Sequence, residues 1–190
     1  MLVDRDGHGT PFSSVAVDDV AGGDLAVRHL CATGRRRIAV VGGPASLSQV
    51  ADRRTGAGRA AAEHPGVPSP SSIRPPPPFW PAAMRVSASP RCPRVDAPTR
   101  LSASNDLLAI GVLQALALHG VAVPADVALV GYNDIDFAPS AIVPLTSIRQ
   151  PRAEIGSSAI DLLVAAADGG GEPEHICFRP HLVERASTIG

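Results

Sequence analysis

"SNDLLAIGVLQALALHGVAVPADVALVGYND" (104–134) carries one helix and one strand in tandem, and their order decides the fold. Ala109, Val112, Leu113 and Leu116 recur at helical spacing, which predicts one apolar face packed on a core. Gly120 supplies the left-handed stop after the last turn, and Pro124 follows it. "DVALVGYND" (126–134) is a short apolar run ending at a glycine, the pattern of a strand buried on both faces. A helix leading into a buried strand is the repeating unit of an α/β fold with a mainly parallel sheet.

The same alternation extends outward. "SSVAVDD" (13–19) predicts a short strand, "GGDLAVRHLCATG" (22–34) a helix ending at Gly34, and "RRRIAVVGG" (35–43) a buried strand with a solvated lead-in. "SLSQVADRRTGAGRAAAEH" (46–64) predicts a helix with Ser46 or Ser48 as its N-cap. "LTSIRQP" (145–151) predicts a third short strand. "RAEIGSSAIDLLVAAADGGG" (152–171) predicts a helix with Ile155, Ala159, Leu162, Leu163 and Ala166 on one face. The strand-like "EHICFRPHLVERAST" (174–188) closes the chain. Residues 64–100 break the pattern: they hold eleven of the 19 prolines and show no periodicity, so an irregular, Pro-rich insert is expected there.

Composition removes several function classes. All 17 basic residues are arginine, which excludes a P-loop lysine, a Schiff base or any catalytic lysine. The net charge of −1 gives no global basic field for nucleic acid. Cys31, Cys92 and Cys177 are widely spaced and the histidines show no ligand spacing, so no metal site and no cofactor are expected. No paired acid–base constellation and no GxSxG elbow is present, so no catalytic residues are assigned. The opening "MLVDRDGHGT" has no charged segment followed by an apolar run, and no stretch reaches membrane-span length. A cytoplasmic protein is expected.

In open α/β sheets ligands bind beyond the carboxyl ends of the strands. Three such exits carry polar groups: "PASLSQVADRR" with Arg53 and Arg54, "SASND" with Asn105 and Asp106, and "GYND" with Asn133 and Asp134. Arginine, amide and carboxylate converging on one cleft suit a polyhydroxylated ligand. Each group also has a plain structural reading. Asn105 or Ser104 serves as an N-cap, with Asp106 favoured by the helix dipole. Asn133 and Asp134 serve as turn residues, and the arginine pair as a solvated helix face.

Residues 104–163, with "ND" opening a helix, "G-x-x-V-P-x-D-V-x-L-V-G-Y" and then "P-L-T-S-I-R-Q-P", closely resemble the lactose-repressor type (LacI–GalR) family of bacterial transcriptional regulators. Residues 14–60 resemble it too. The resemblance implies a periplasmic-binding-protein-like, two-lobed, parallel-sheet effector domain. A sugar-like small molecule would sit between the lobes, the domain would form a homodimer, and operator DNA would be read through a helix-turn-helix not contained in this chain. By motif, Arg53 matches the arginine that grips the ligand and Asn105 the cleft asparagine. Asn133 stands where aspartate is usual; Asp134 follows it, and Asp4 in "LVD" matches a further cleft acid. The N-terminal lobe is expected to be incomplete. Residues 1–63 are expected to hold part of that lobe and the start of the C-terminal lobe. Residues 64–100 form the insert, and 101–190 the remainder, crossing back over 145–170. Two alternatives share this outline: a solute-binding protein of the same fold and a degenerate, non-functional remnant of such a regulator.

Overall fold

The computed structural model describes residues 1–34, 37–69, 71–73, 99–169 and 171–189. Its elements, in chain order, are β1 (Leu2–Val3), β2 (Ser14–Val17), α1 (Asp19–Ala32), β3 (Ile38–Val41), α2 (Ser48–Ala62), β4 (Ser71–Ile73), β5 (Arg100–Ala103), α3 (Asp106–Leu118), β6 (Ala128–Asn133), β7 (Thr146–Arg149), α4 (Arg152–Ala167), β8 (His175–Phe178) and β9 (His181–Val183). They build two sheets. The smaller has the order β1-β2-β8 and is parallel. The larger has the order β4-β3-β5-β6-β7-β9 and is parallel except for the antiparallel β7–β9 edge.

Burial on both faces explains why β3 and β6 read as unbroken apolar runs. Ile38, Val40, Ala128, Val130 and Tyr132 face α1 and α2, whereas Ala39, Val41 and Leu129 face α3. Both sheet faces are covered by helices, so these strands are apolar up to the polar groups at the carboxyl end of β6, Tyr132 and Asn133. The four α3 positions expected to face the core, Ala109, Val112, Leu113 and Leu116, are all buried. The smaller sheet packs Val15 and Val17 against Ile155 and Ala159 of α4.

Several expectations are corrected. Strand β4 lies inside the stretch expected to be irregular and pairs in parallel with β3, Ala39 opposite Ser71 and Val41 opposite Ile73. Residues 74–98 of that stretch, with Cys92, and Arg35 and Arg36 of the "RRR" run lie outside the described residues. Neither Ser46 nor Ser48 caps α2; its N-cap is Leu47, with no side-chain bond, and the entry is a turn in which the Leu47 amide donates to the Pro44 carbonyl at 3.1 Å. Helix α1 starts earlier than expected because the Asp18 carboxylate accepts from the Ala21 amide at 2.8 Å. On α4 only Ile155, Ala159 and Leu162 pack inward, while Leu163 is 54% exposed. A three-stranded sheet is too narrow to cover a wider stripe. The final strand-like run splits at Pro180 into β8 and β9, which join different sheets.

The chain passes between the sheets three times: from β2 into α1, from β7 into α4, and from β8 into β9. The Asp18 amide donates to the Phe178 carbonyl at 2.9 Å and so ties the first crossing to the third. Among the described residues no helix is long and apolar enough to cross a membrane.

Helices α1 and α2 touch backbone to backbone. A Cβ at Gly23 would lie 2.0 Å from the Arg53 carbonyl oxygen, and one at Gly56 would lie 1.9 Å from the Val20 carbonyl oxygen. Glycine in a helix interior costs about 0.5–1 kcal/mol relative to alanine, and here the missing side chain permits the approach. Gly56→Ala is expected to destabilise the protein by about 2–3 kcal/mol, because the obstructing atom is backbone. Gly58→Ala on the same helix meets nothing within 4 Å and is expected to stabilise by up to about 1 kcal/mol. Urea unfolding midpoints of the two variants measure both effects.

Candidate functional site

The close approach of α1 and α2 sets the position of Arg53. Its Nε donates to the Asp19 carboxylate at 2.8 Å and its Nη1 to the Ser104 carbonyl at 2.5 Å. Its guanidinium carbon lies 3.7 Å from the centroid of the Tyr132 ring, a cation–π geometry. The Tyr132 hydroxyl donates to the same Asp19 oxygen at 2.8 Å. Gly22 makes room for that hydroxyl, since a Cβ there would stand 2.0 Å from it. Burial, followed by the neighbouring Asp19 carboxylate, pushes the Tyr132 phenol far above its ordinary range, so it stays a donor. The guanidinium is therefore locked on three sides. Of its five N–H groups, two are bonded to Asp19 and Ser104.

These groups stand at the carboxyl ends of parallel strands from both sheets. Asp19 follows β2, Ser104 and Asn105 follow β5, and Tyr132 and Asn133 end β6. Asp4 follows β1, and its carbonyl accepts from Gln49 of α2 at 2.9 Å. The Asp4 carboxyl is pushed up by burial and by the Asp19 carboxylate, against a smaller opposing pull from Arg53. The site thus spans the junction between the sheets. Arg54, next in sequence, points elsewhere and lines a depression against β3 with Thr55, Gly58 and Ser69.

The expected site residues separate by their surroundings. Arg53 and Asp4 come together around Asp19. Asn105 is the N-cap of α3: its Oδ1 accepts from the Leu108 amide at 2.8 Å, while the residue stays exposed. The cap is therefore Asn105 and not Ser104. Asn133 leaves β6 with φ +100, a left-handed conformation that asparagine tolerates. Asp134 departs from expectation. It is buried, Arg149 donates to its Oδ2 at 2.6 Å, and Arg185 donates to its Oδ1 at 2.7 Å. Both oxygens are committed to a structural ion-pair cluster joining β6, β7 and the segment after β9, so Asp134 is not offered to a ligand.

Asp106 is likewise structural. Fully buried, it accepts from the Ile135 amide at 2.8 Å and from the Ser147 hydroxyl at 2.7 Å. Gly131 is required beside it, since a Cβ there would lie 2.1 Å from its carboxylate. Asp19 and Tyr132 were not anticipated from sequence. The available signal was the "DD" pair: reading Asp18 as a cap would have put Asp19 at a strand exit. Among the described residues no group of three or more His, Cys, Asp or Glu side chains is arranged to hold a metal ion.

Residues 27–188 match the family described as periplasmic binding protein-like domain. The chain belongs to that family. Within it, the chain is a LacI-type effector-binding domain, as its relatives and structural neighbours agree. It is 32% identical over 188 residues to the HTH-type transcriptional regulator DegA of Bacillus subtilis, a match covering 98% of this chain and 55% of the relative. A LacI family transcriptional regulator from Enterococcus faecium, solved with bound ribose, superposes with a TM-score of 0.82 at 28% identity, covering 98% of this chain and 69% of that one. The lac repressor dimer bound to operator superposes with a TM-score of 0.80 at 25% identity, covering 100% of this chain and 56% of that one. The chain spans about half the length of the curated relatives it matches.

The ion-pair cluster of this LacI-type domain has a pH signature. Burial alone would raise the Asp134 carboxyl, but the bonds from Arg185 and Arg149 outweigh it and hold the group below the ordinary range. Its stabilisation is therefore complete above the unfolded value of about 3.9 and drains away as pH falls through the lower folded value. Asp134→Asn keeps the side-chain shape and the left-handed backbone, φ +51. It is expected to cost about 3 kcal/mol near neutrality, as removal of one partner from a buried pair does. The melting-temperature gap between the two proteins should hold constant from neutral pH down to about pH 5 and close in stronger acid.

Proposed function

We propose that this chain is the effector-binding and dimerisation portion of a LacI-type transcriptional regulator, taking a sugar-like small molecule between its two sheets. The locked Arg53 guanidinium at the strand exits carries this reading. A fixed donor fork beside carboxylate and amide groups matches the hydroxyl array of a sugar, and the Enterococcus faecium relative was solved with ribose. Asn105 spends its Oδ1 on the helix cap, which leaves the amide nitrogen to donate to the ligand. Asn133 and Asp4 complete the ligand set. The reaction is binding, with no catalytic step. Ligand uptake biases closure of the sheets about the three crossings, and closure is linked to DNA affinity of a helix-turn-helix joined to this domain in the cytoplasm.

Isothermal titration and thermal shift with a panel of neutral pentoses and hexoses test this. At least one sugar is expected to bind and raise the melting temperature. Arg53→Ala should lower its affinity at least tenfold, and Asn105→Ala should weaken binding while costing about 1 kcal/mol for the lost cap. A panel that leaves the melting temperature unchanged refutes the reading.

We propose that the dimer contact lies on α3. Leu107 and Leu118 are 71% and 86% exposed and lie three turns apart on one stripe of the helix. Phe137 and Ile142, in the loop tied to α3 through Asp106, are 71% and 73% exposed. Exposed large apolar side chains favour association, and the lac repressor neighbour was solved as a dimer. Leu118→Glu is expected to shift the sedimenting species from dimer to monomer without lowering helicity.

A further inference from the structure

We propose that Asp19 sets the charge of the effector: by neutralising Arg53 it makes the cleft accept an uncharged polyhydroxylated molecule and reject the same molecule carrying a phosphate. The proposal rests on the sugar-binding reading above and assigns the class of ligand that site takes.

The argument begins with what Arg53 offers. An unpaired arginine at a strand exit is a phosphate anchor, because its charge and its donor fork both suit a phosphate. Here the charge is already cancelled. Asp19 lies 2.8 Å from Nε, and the two side chains are only 7% and 11% exposed. A buried pair is screened little by salt, so the cancellation persists at physiological ionic strength. What remains is a set of oriented N–H donors without net charge, which serves a hydroxyl oxygen.

The surroundings act in the same direction. Asp52, on the turn of α2 that carries Arg53, has its carboxyl pushed up by burial and then by Asp19, Asp6 and Asp18, with Arg53 opposing. Asp4 feels Asp19 as well. Asp4, Asp19 and Asp52 therefore share the neighbourhood of one arginine that is itself paired with Asp19. The next cation along the helix, Arg54, faces the separate depression against β3. A phosphate carries between one and two negative charges at neutral pH and would enter a field of its own sign. Sugar hydroxyls, by contrast, donate to carboxylates.

Titrations of D-ribose, D-glucose, D-galactose and their monophosphates into the chain test the assignment. The intact chain is expected to bind at least one neutral sugar at least 100-fold more tightly than its phosphate. Asp19→Asn keeps an acceptor for Arg53 and should narrow that ratio at least tenfold. Asp52→Asn should narrow it about two- to fivefold while leaving the fold unchanged, and its ratio decides the matter if Asp19→Asn does not melt cooperatively. A phosphate that binds the intact chain as tightly as its neutral sugar overturns the proposal while sparing the cleft. So does a ratio that neither variant changes. If no sugar and no phosphate binds, the cleft reading fails and this one falls with it.

Discussion

Two helices that touch through glycine govern the rest of this protein. Because Gly23 and Gly56 carry no side chain, α1 and α2 bring their backbones into contact, and the Arg53 carbonyl lies against α1. Any residue larger than glycine would push α2 outward and carry Arg53 away from Asp19. The site is thus a consequence of packing. Gly22 extends the same logic by opening the space in which the Tyr132 hydroxyl reaches Asp19. Three absent side chains and one carboxylate fix an arginine that would otherwise sweep through many rotamers, and fixing it beforehand removes an ordering cost from ligand binding.

The acidic residues divide by surroundings and not by sequence pattern. Asp106, Asp134 and Asp19 all sit near strand exits. Asp106 is enclosed by Ser147 and the Ile135 amide, and it holds the ends of β6 and β7 to the start of α3. Asp134 is enclosed by Arg149 and Arg185 and ties the strand that leads into α4 to the segment after β9. Asp106 braces the larger sheet, and Asp134 braces the crossing from β7 into α4. Asp19 alone shares its oxygen with an arginine and a phenol that face the junction. Asp134 holds the end of β7 where the chain changes sheet, which is where any closure of the two sheets would be resisted or permitted.

Legibility followed the range of the forces involved. The helix–strand alternation, the buried stripe of α3 and the parallel character of the sheet were readable, because each depends on periodicity within one element. Strand β4 was not, since a three-residue strand among prolines has no period of its own and exists by pairing with β3. The split at Pro180 was visible as a residue but not as a change of sheet. Among the site residues, Arg53 and Asn105 stood out through their motif, whereas Asp19 was hidden because the start of α1 was read too late.

The sequence by itself determined the class of fold and the exits at which chemistry gathers, because alternating apolar periods and helix caps are local and specify themselves. Tertiary structure decided which polar group at each exit faces the junction and which braces the frame. It turned Asp134 into an ion-pair hub and placed Asp19 and Tyr132 on Arg53. The contacts of Asp19 with Arg53 and Tyr132 join residues 34 and 113 positions apart, and a linear pattern carries no information on how closely two helices approach.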